Sequence, residues 1–281
     1  MVTSLKGGVG KTTITANLAM TLAKSGCSVV AIDCDLESRC LDMVLGLENN
    51  SLFNIGDALS GACSVQDCLI RDSRCENLAF IAAPASIIDK TAPEFSSVFC
   101  SENIDKFISE LEESFDYIIF DLPAHPDMWY GLLMKHIDFA LVVAMHTAVS
   151  IRSAEKTAMT IAEVNKNICG EDFEYDRDGN LKESKLKIRL IINSFRSSDA
   201  EDGMRSGVYD IINKTSVKLL GVIPYDEEMA VAQESGKLAF QIKRGKNLAN
   251  IAFKNIALRL AGLSVPLLSG ILKKKARKKI F

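Results

Sequence analysis

The chain of 281 residues is 48% hydrophobic and 25% charged, which is enough to bury the core of one large domain. It has no run of roughly 18 uncharged apolar residues and no leader-like start, so we expect a cytoplasmic protein without a spanning helix or secretory signal. The net charge of −3 is unevenly distributed along the chain, because residues 266–281 carry six basic and no acidic side chains. The rest of the chain has 27 basic and 36 acidic residues. This part of the chain is too acidic to wrap nucleic acid, whose binding requires neutralisation of phosphates.

Short apolar runs alternate with amphipathic stretches along the chain. Six runs predict strands, at residues 28–33, 77–83, 117–121, 139–144, 187–192 and 217–223. Because nearly every position in them is apolar, the class is α/β, with a doubly wound, mostly parallel sheet flanked by helices. The first strand is short, since only residues 1–4 precede a glycine-rich loop, and a start site placed too late would explain it. A polar run at 170–184 predicts an exposed loop or hairpin.

A glycine-rich segment, SLKGGVGKTT, occupies residues 4–13 between a strand and a helical pattern. This is the context of a phosphate-binding loop, in which small residues let backbone N–H groups converge on a phosphate at a helix N-terminus. We expect Lys11 to reach the β- and γ-phosphates and the Thr12 hydroxyl to bind Mg²⁺. The predicted nucleotide-binding residues of the loop are Gly7, Gly8, Val9, Gly10, Lys11, Thr12 and Thr13.

A second lysine, Lys6, stands inside the loop, and Leu5 occupies the position where the standard pattern has its first glycine. The string KGGVGKTT resembles the deviant P-loop family of MinD, ParA-type partition ATPases, nitrogenase iron proteins and arsenite-pump ATPases. The resemblance implies a P-loop ATPase that hydrolyses ATP with Mg²⁺ as a homodimer, in which Lys6 reaches the partner's phosphates. Catalysis then waits for dimerisation, as with an arginine finger supplied in trans.

Two strand ends resemble the carboxylate motifs of this family. The segment IDCDLESRCLD at 32–42 resembles switch I, where Asp35 would orient the attacking water and Asp33 would support the magnesium shell. Capping of the following helix is the alternative role for both acids. The strand YIIFD resembles the Walker B strand, so Asp121 would hold Mg²⁺ through its water shell. In the switch II segment that follows, His125 replaces the family's glycine and leaves the backbone behaviour there undecided.

The strand end at 191–193 and the segment GVIPYDEE at 221–228 resemble the family's adenine pocket. Asn193 would pair with the edge of adenine, and the backbone after Pro224 would close the other side of the base. A simple turn-forming role is the alternative for Asn193.

Within the family, the segments LDMVLGLEN (41–49), DCLIRD (67–72), AVSIRSAEK (148–156) and LLGVIPYDE (219–227) resemble MinD more than partition ATPases. The resemblance implies a role in division-site selection through recruitment of a MinC-like septum inhibitor. Ser153 follows Arg152 where relatives have aspartate, at a position tied to regulator docking. A MinE-like regulator, a DivIVA-type system and a specialised paralogue are therefore all compatible with the sequence.

The segment PLLSGILKKKARKKIF at 266–281 differs in character from the ATPase domain expected at 1–265. Its apolar residues fall at helical spacing among lysines and are Leu268, Ile271, Leu272, Ala276 and Ile280. The pattern predicts an amphipathic helix that lies on an anionic membrane, with two copies in a dimer gaining avidity. We therefore expect peripheral attachment to the inner face of the cell membrane, with a disordered solubilising tail as the alternative.

Other functions share this fold. A ParA-like partition or flagellar-placement ATPase would carry the same loop. An electron-transfer ATPase like the nitrogenase iron protein would need a cluster cysteine soon after Asp121, and none occurs between Cys100 and Cys169. Because the eight cysteines have irregular spacings and no CxxC pair, we expect reduced thiols and neither a disulfide scaffold nor a zinc ribbon.

Overall fold

A single eight-stranded sheet forms the centre of the computed structural model, which describes residues 1–48, 50–84, 93–126, 128–170, 185–242 and 247–268. The strand order is β3-β4-β2-β5-β1-β6-β7-β8. The strands are β1 Val2–Thr3, β2 Val29–Asp33, β3 Ile70–Asp72, β4 Cys75–Ile81, β5 Tyr117–Asp121, β6 Phe139–Ala144, β7 Lys187–Phe195 and β8 Leu219–Pro224. Each neighbouring pair is parallel except β3 with β4.

Helices cover both faces of the sheet, and each face has its own buried apolar cluster. The helices are α1 Lys11–Lys24, α2 Leu41–Leu45, α3 Ile55–Ser60, α4 Pro93–Val98, α5 Ser101–Glu112, α6 Met128–Leu133, α7 Ala148–Cys169, α8 Ser197–Glu201, α9 Val208–Thr215, α10 Glu227–Gln233 and α11 Leu248–Leu260. Helices α1, α2, α10 and α11 pack on one face, and α3, α5, α6, α7 and α9 pack on the other. The central strands β2, β5 and β6 are almost entirely apolar because helices cover both of their faces, and the mostly parallel sheet between two helical layers confirms the predicted doubly wound class.

The six predicted strands are all present, with ends that differ from the prediction by up to three residues. The edge strand β3 is absent from the prediction, because a strand of three residues is too short to show a period. It pairs antiparallel with β4, and a register shift follows Arg71. Strand β7 runs three residues beyond the predicted end at 192. The loop expected at 170–184 falls outside the described residues, apart from Gly170.

The first strand is central although it has only two residues. Val2 pairs with Asp121 on one side and with Leu141 on the other. The buried amino group of Met1 donates to the carbonyl of Phe139 at 2.8 Å. Burial lowers the pKa of this amino group to about 5. Further residues upstream of this strand remain a prediction.

The position of β1 decides where a ligand can bind. After β1 the chain passes through α1 to β2 and builds the half of the sheet that contains β2 to β5. It then crosses to the other side of β1, where β6, β7 and β8 form the second half. In such sheets the point where the strand order reverses leaves a crevice at the carboxyl ends of the strands. The loop at residues 4–10 starts at this point and leads into α1.

Candidate nucleotide site

The glycine-rich loop ends in a left-handed turn directly before α1. Gly8 and Gly10 have φ values of 72° and 94°, a backbone region that residues with a Cβ rarely adopt. Gly10 is the N-cap of α1, where no side chain of the described residues caps the helix and no acid occupies its first turn. The free N–H groups of that turn are therefore oriented to receive an anion, as the sequence predicts.

Asn193 lies against the loop from the end of β7. Its Nδ2 donates to the carbonyl of Val9 at 2.8 Å. A Cβ on Gly10 would lie 2.2 Å from that same nitrogen, so the loop and the amide are in direct contact. Pro224 ends the neighbouring strand β8 and pairs in register with Phe195. The two residues predicted to flank adenine thus lie at adjacent strand ends, but Asn193 already uses one amide hydrogen to hold the loop.

Two buried carboxylates face the start of α1. Asp33 and Asp121 end neighbouring strands, pair in register, and are 0% and 2% exposed. Burial raises the pKa of Asp33 to about 8, with the charge of Asp121 as the second cause, and burial raises the pKa of Asp121 to about 6. The hydroxyls of Thr12 and Thr15 both bond to Asp121, the latter at 2.9 Å.

This donor set fits a divalent cation. Carboxylate and hydroxyl oxygens are the ligands that Mg²⁺ takes, and a divalent charge would offset the repulsion between the two buried acids. The Lys11 side chain is also buried, which lowers its pKa, while the carboxylates of Asp121 and Asp35 act in the opposite direction. The structure therefore brings Lys11, Thr12, Asp33 and Asp121 together.

The switch I residues hold their own turn. Asp35 is half-buried, and its Oδ1 accepts from the backbone N–H groups of Glu37 and Ser38 at 3.2 and 2.9 Å. Asp33 accepts from the N–H groups of Leu41 and Asp35, both at 3.0 Å. Both acids therefore cap the turn or helix that follows them, as the alternative prediction states. The same hydrogen bonds fix the position of Asp35 beside the phosphate loop.

Lys6 lies inside the loop, five residues before Lys11. Its backbone N–H donates to the Ser4 hydroxyl at 3.4 Å. Its half-exposed side chain makes no hydrogen bond or ion pair with the described residues of this chain. The ammonium group is therefore free to reach a group on another molecule.

Three contacts that the local sequence does not signal tie the loop to distant elements. The Leu5 N–H donates to the Thr157 hydroxyl on α7 at 3.0 Å. The Gln233 amide donates to the Thr13 hydroxyl at 2.6 Å, and the Thr3 and Tyr130 hydroxyls bond to each other. Their partners lie 127 to 220 positions away in the chain, so no motif could indicate them.

The switch II turn and α7 lie next to the loop. Gly7 approaches Ala124, since a Cβ on Gly7 would meet that side chain at 3.9 Å. His125 is half-buried in the same turn. On α7, Arg152 is exposed and Ser153 is half-buried, and the Ser153 carbonyl accepts from the Thr157 hydroxyl at 2.7 Å. The predicted regulator-docking face therefore belongs to the helix that also contacts the loop.

A buried histidine follows β6 near these elements. His146 is 1% exposed, and its ring packs at a tilt against the Phe195 ring with the centroids 5.3 Å apart. Arg205 Nη1 lies 3.3 Å and Asp199 Oδ2 lies 3.5 Å from its Nε2, whereas its buried Nδ1 has no partner within the described part of the chain. Burial and then the charge of Arg205 lower the pKa of His146. The ring is therefore held neutral.

The beginning of the predicted tail is packed on the body. Leu267 and Leu268 lie against the two apolar clusters, and the Arg259 guanidinium donates to the carbonyls of Val265 and Leu220. Leu268, expected on the membrane-facing stripe, thus contacts the domain. The remaining tail residues, 269–281, lie outside the described structure. No helix of the described ranges is long and apolar enough to cross a membrane.

A parallel sheet with a glycine-rich loop between its central strand and first helix, and with carboxylates at flanking strand ends, defines a P-loop nucleotide-binding protein. The chain belongs to the CobQ/CobB/MinD/ParA nucleotide binding domain family, whose model matches residues 1–239. The family resemblance carried by KGGVGKTT is thereby confirmed.

Known proteins similar to this chain include members of the MinD group. The septum site-determining protein MinD of Bacillus subtilis (strain 168) is 33% identical over 268 residues, which cover 95% of this chain and 90% of that protein. The MinD cell division protein of Aquifex aeolicus has 29% identity and a TM-score of 0.74, covering 95% of this chain and 97% of its own. A chain of the MinC:MinD cell division protein complex from Aquifex aeolicus matches at 28% identity, with a TM-score of 0.74 and coverage of 95% and 96%.

Proposed function

We propose that this protein is an ATP-hydrolysing switch that acts in division-site selection and changes its assembly state with the bound nucleotide. The observation that carries the proposal is the pairing of two lysines in one loop: Lys11 is buried beside the paired acids, while the Lys6 side chain has no hydrogen bond or ion pair among the described residues. The similarity to septum site-determining proteins over 95% of the chain supports the cellular role.

The binding step rests on the loop and the strand ends. Lys11 and the free N–H groups at the start of α1 would hold the phosphates of ATP. Thr12, Asp33 and Asp121 would hold Mg²⁺, which when bound neutralises developing charge on the β- and γ-phosphate oxygens. Thr13 would contribute to the same loop, and Asn193 with the backbone after Pro224 would accommodate the base.

The hydrolytic step needs a positioned water and an added charge. Asp35 lies in the switch I segment with one carboxylate oxygen committed to its turn, which leaves the other to orient water. Lys6 of a second copy would supply the extra positive charge at the phosphates, since no contact with the described residues of its own chain occupies the Lys6 ammonium group. The active form is therefore a homodimer closed over two ATP molecules.

The output of the switch would be recruitment. A relative similar over 95% of this chain is found in a MinC:MinD complex, so a MinC-like inhibitor is the effector we propose. The basic segment at 266–281 would attach the dimer to an anionic membrane through two weak anchors, which together give avidity. The protein would then cycle between the cytoplasm and the inner face of the cell membrane. A MinE-like regulator would act on α7, where Ser153 departs from the relatives.

The test measures mass in solution, hydrolysis and liposome binding for matched variants. Lys11→Ala should lose ATP binding, and Asp35→Ala should bind ATP but accumulate as a dimer without turnover. Lys6→Ala should bind ATP as a monomer and lose hydrolysis, while Lys214→Ala, an exposed lysine on α9, should behave like the unmodified protein. Dimerisation of Lys6→Ala with normal turnover would overturn the role of Lys6.

Membrane binding and DNA binding are tested in separate experiments. ATP-dependent sedimentation on anionic vesicles should disappear when residues 266–281 are removed, and equal sedimentation with ADP would contradict the switch. A ParA-like partition or flagellar-placement ATPase is the alternative of the same fold. ATP-dependent retardation of duplex DNA at physiological salt would favour partition over this proposal.

A further inference from the structure

Two cysteines outside the nucleotide site lie in direct contact. The Sγ atoms of Cys63 and Cys68 are 3.3 Å apart, and the Cys68 thiol also donates to the carbonyl of Asn54 at 3.3 Å. Both residues follow α3 on the face of the sheet that carries α5. We propose that Cys63 and Cys68 form a redox-active dithiol that a low-molecular-weight disulfide oxidises to an intramolecular disulfide.

The loop between the two cysteines is already folded back on itself. The Asp67 carboxylate accepts from the N–H and the hydroxyl of Ser64 at 3.0 and 2.6 Å. The Asp67 N–H in turn donates to the Ser64 hydroxyl at 3.3 Å. These reciprocal bonds close the turn that separates the thiols, so most of the ordering needed for a disulfide exists before oxidation.

The two thiols differ in access. Cys63 is half-exposed and lines a groove between α3 and α5, whereas Cys68 is 1% exposed. Burial, followed by the hydrogen bond with Cys63, raises the pKa of the Cys68 thiol. Cys63 is therefore the thiol that meets an oxidant first, and Cys68 is the thiol placed to react second.

The reaction follows thiol–disulfide exchange. The Cys63 thiolate attacks one sulfur of the small disulfide, whose S–S bond breaks and releases one thiol after protonation. The Cys68 sulfur then loses its proton to solvent and attacks the Cys63 sulfur, which displaces the second small thiol. The two cysteines lose two electrons in total, and the small disulfide gains them as two thiols.

The experiment exposes the full chain to glutathione disulfide, alkylates the remaining thiols and cleaves before aspartate. Cleavage before Asp57, Asp67 and Asp72 separates Cys63 in peptide 57–66 from Cys68 in peptide 67–71. A disulfide is then the one bond that holds the two peptides together, and dithiothreitol should release them. We expect the linked pair to form at least about tenfold faster in the folded chain than in urea, because pre-oriented groups exceed the effective concentration of a flexible linker.

Three variants make the test specific. Cys63→Ser should abolish the linked pair, and Cys169→Ser, which removes an exposed cysteine elsewhere, should leave it unchanged. Ser64→Ala keeps both thiols and the cleavage site but removes the hydroxyl bonds to Asp67, so it should slow linkage in the folded chain only. Equal linkage rates in the folded chain and in urea would overturn the proposal, as would separate glutathione adducts on both cysteines.

Discussion

Thr157 offers a direct test of how α7 communicates with the nucleotide loop. Its hydroxyl accepts from the N–H of Leu5, the residue directly before Lys6, and it is fully buried. Thr157→Val replaces the hydroxyl by a methyl group of nearly the same shape. The change therefore removes one acceptor from the loop with little effect on packing. We expect the loop segment that carries Lys6 to lose its attachment to α7.

The expected loss of free energy of unfolding depends on which polar groups lose a hydrogen-bond partner. The Leu5 N–H becomes unsatisfied in a partly buried position, which costs about 1 to 2 kcal/mol. The bond from Thr157 to the Ser153 carbonyl adds little, because that carbonyl lies inside α7 and keeps its helical donor. In a domain of this size, each kcal/mol lowers the melting temperature by about 2 to 4 °C. Thr215→Val is the matched control, since the buried Thr215 hydroxyl donates only to carbonyls of its own helix.

The assay combines urea unfolding, followed by fluorescence of the single tryptophan, Trp129, with steady-state ATP hydrolysis. Thr157→Val should lower kcat by up to about tenfold, the equivalent of 1.4 kcal/mol, and leave KM for ATP nearly unchanged because Lys11 keeps its place. Thr157→Ser keeps the acceptor and should restore both values. Equal losses of stability in Thr157→Val and Thr215→Val, with normal kcat, would refute the coupling.

The remaining predictions concern the loop, the core and pH. Gly10→Ala should abolish ATP binding and cost about 1 to 3 kcal/mol in urea unfolding, because its φ is 94° and the new Cβ meets the amide of Asn193. Gly221→Ala should cost about 1 to 3 kcal/mol by overpacking, since its Cβ would lie 2.3 Å from Ile256. The double variant Gly221→Ala/Ile256→Ala should lose less free energy of unfolding than the two single variants lose together, because the smaller side chain removes the clash. A loss equal to the sum of the two single losses would contradict the clash. As pH decreases, the unfolded chain protonates His146 before the folded chain does, because burial lowers the pKa of the folded imidazole, and the free energy of unfolding therefore decreases. His146→Gln should make this loss of stability between about pH 7.5 and pH 5.5 smaller. An unchanged pH profile would exclude His146 as the cause.

Local patterns were sufficient for the fold class and for the phosphate loop. Continuous apolar runs predict parallel strands covered on both faces, and KGGVGKTT between a strand and a helix predicts a phosphate loop, because both depend on neighbouring residues alone. The same reasoning missed β3, whose three residues are too few to show a period and form a strand by pairing with β4. It also placed Leu268 on a membrane-facing stripe, whereas the structure packs this residue against the body.

The amino-acid sequence by itself determined the class of sheet, the place of the glycine-rich loop between the first strand and the first helix, and the presence of two lysines in that loop, since each follows from residue type and short-range spacing. Only the tertiary structure decided which distant residues contact the loop and the strand ends. The contact of Asn193 with Val9, the support of Leu5 by Thr157 and the repulsion between Asp33 and Asp121 all join segments far apart in the chain. The burial and the pKa values of Asp33 and Asp121 depend on these long-range contacts. No local pattern encodes which elements will pack together.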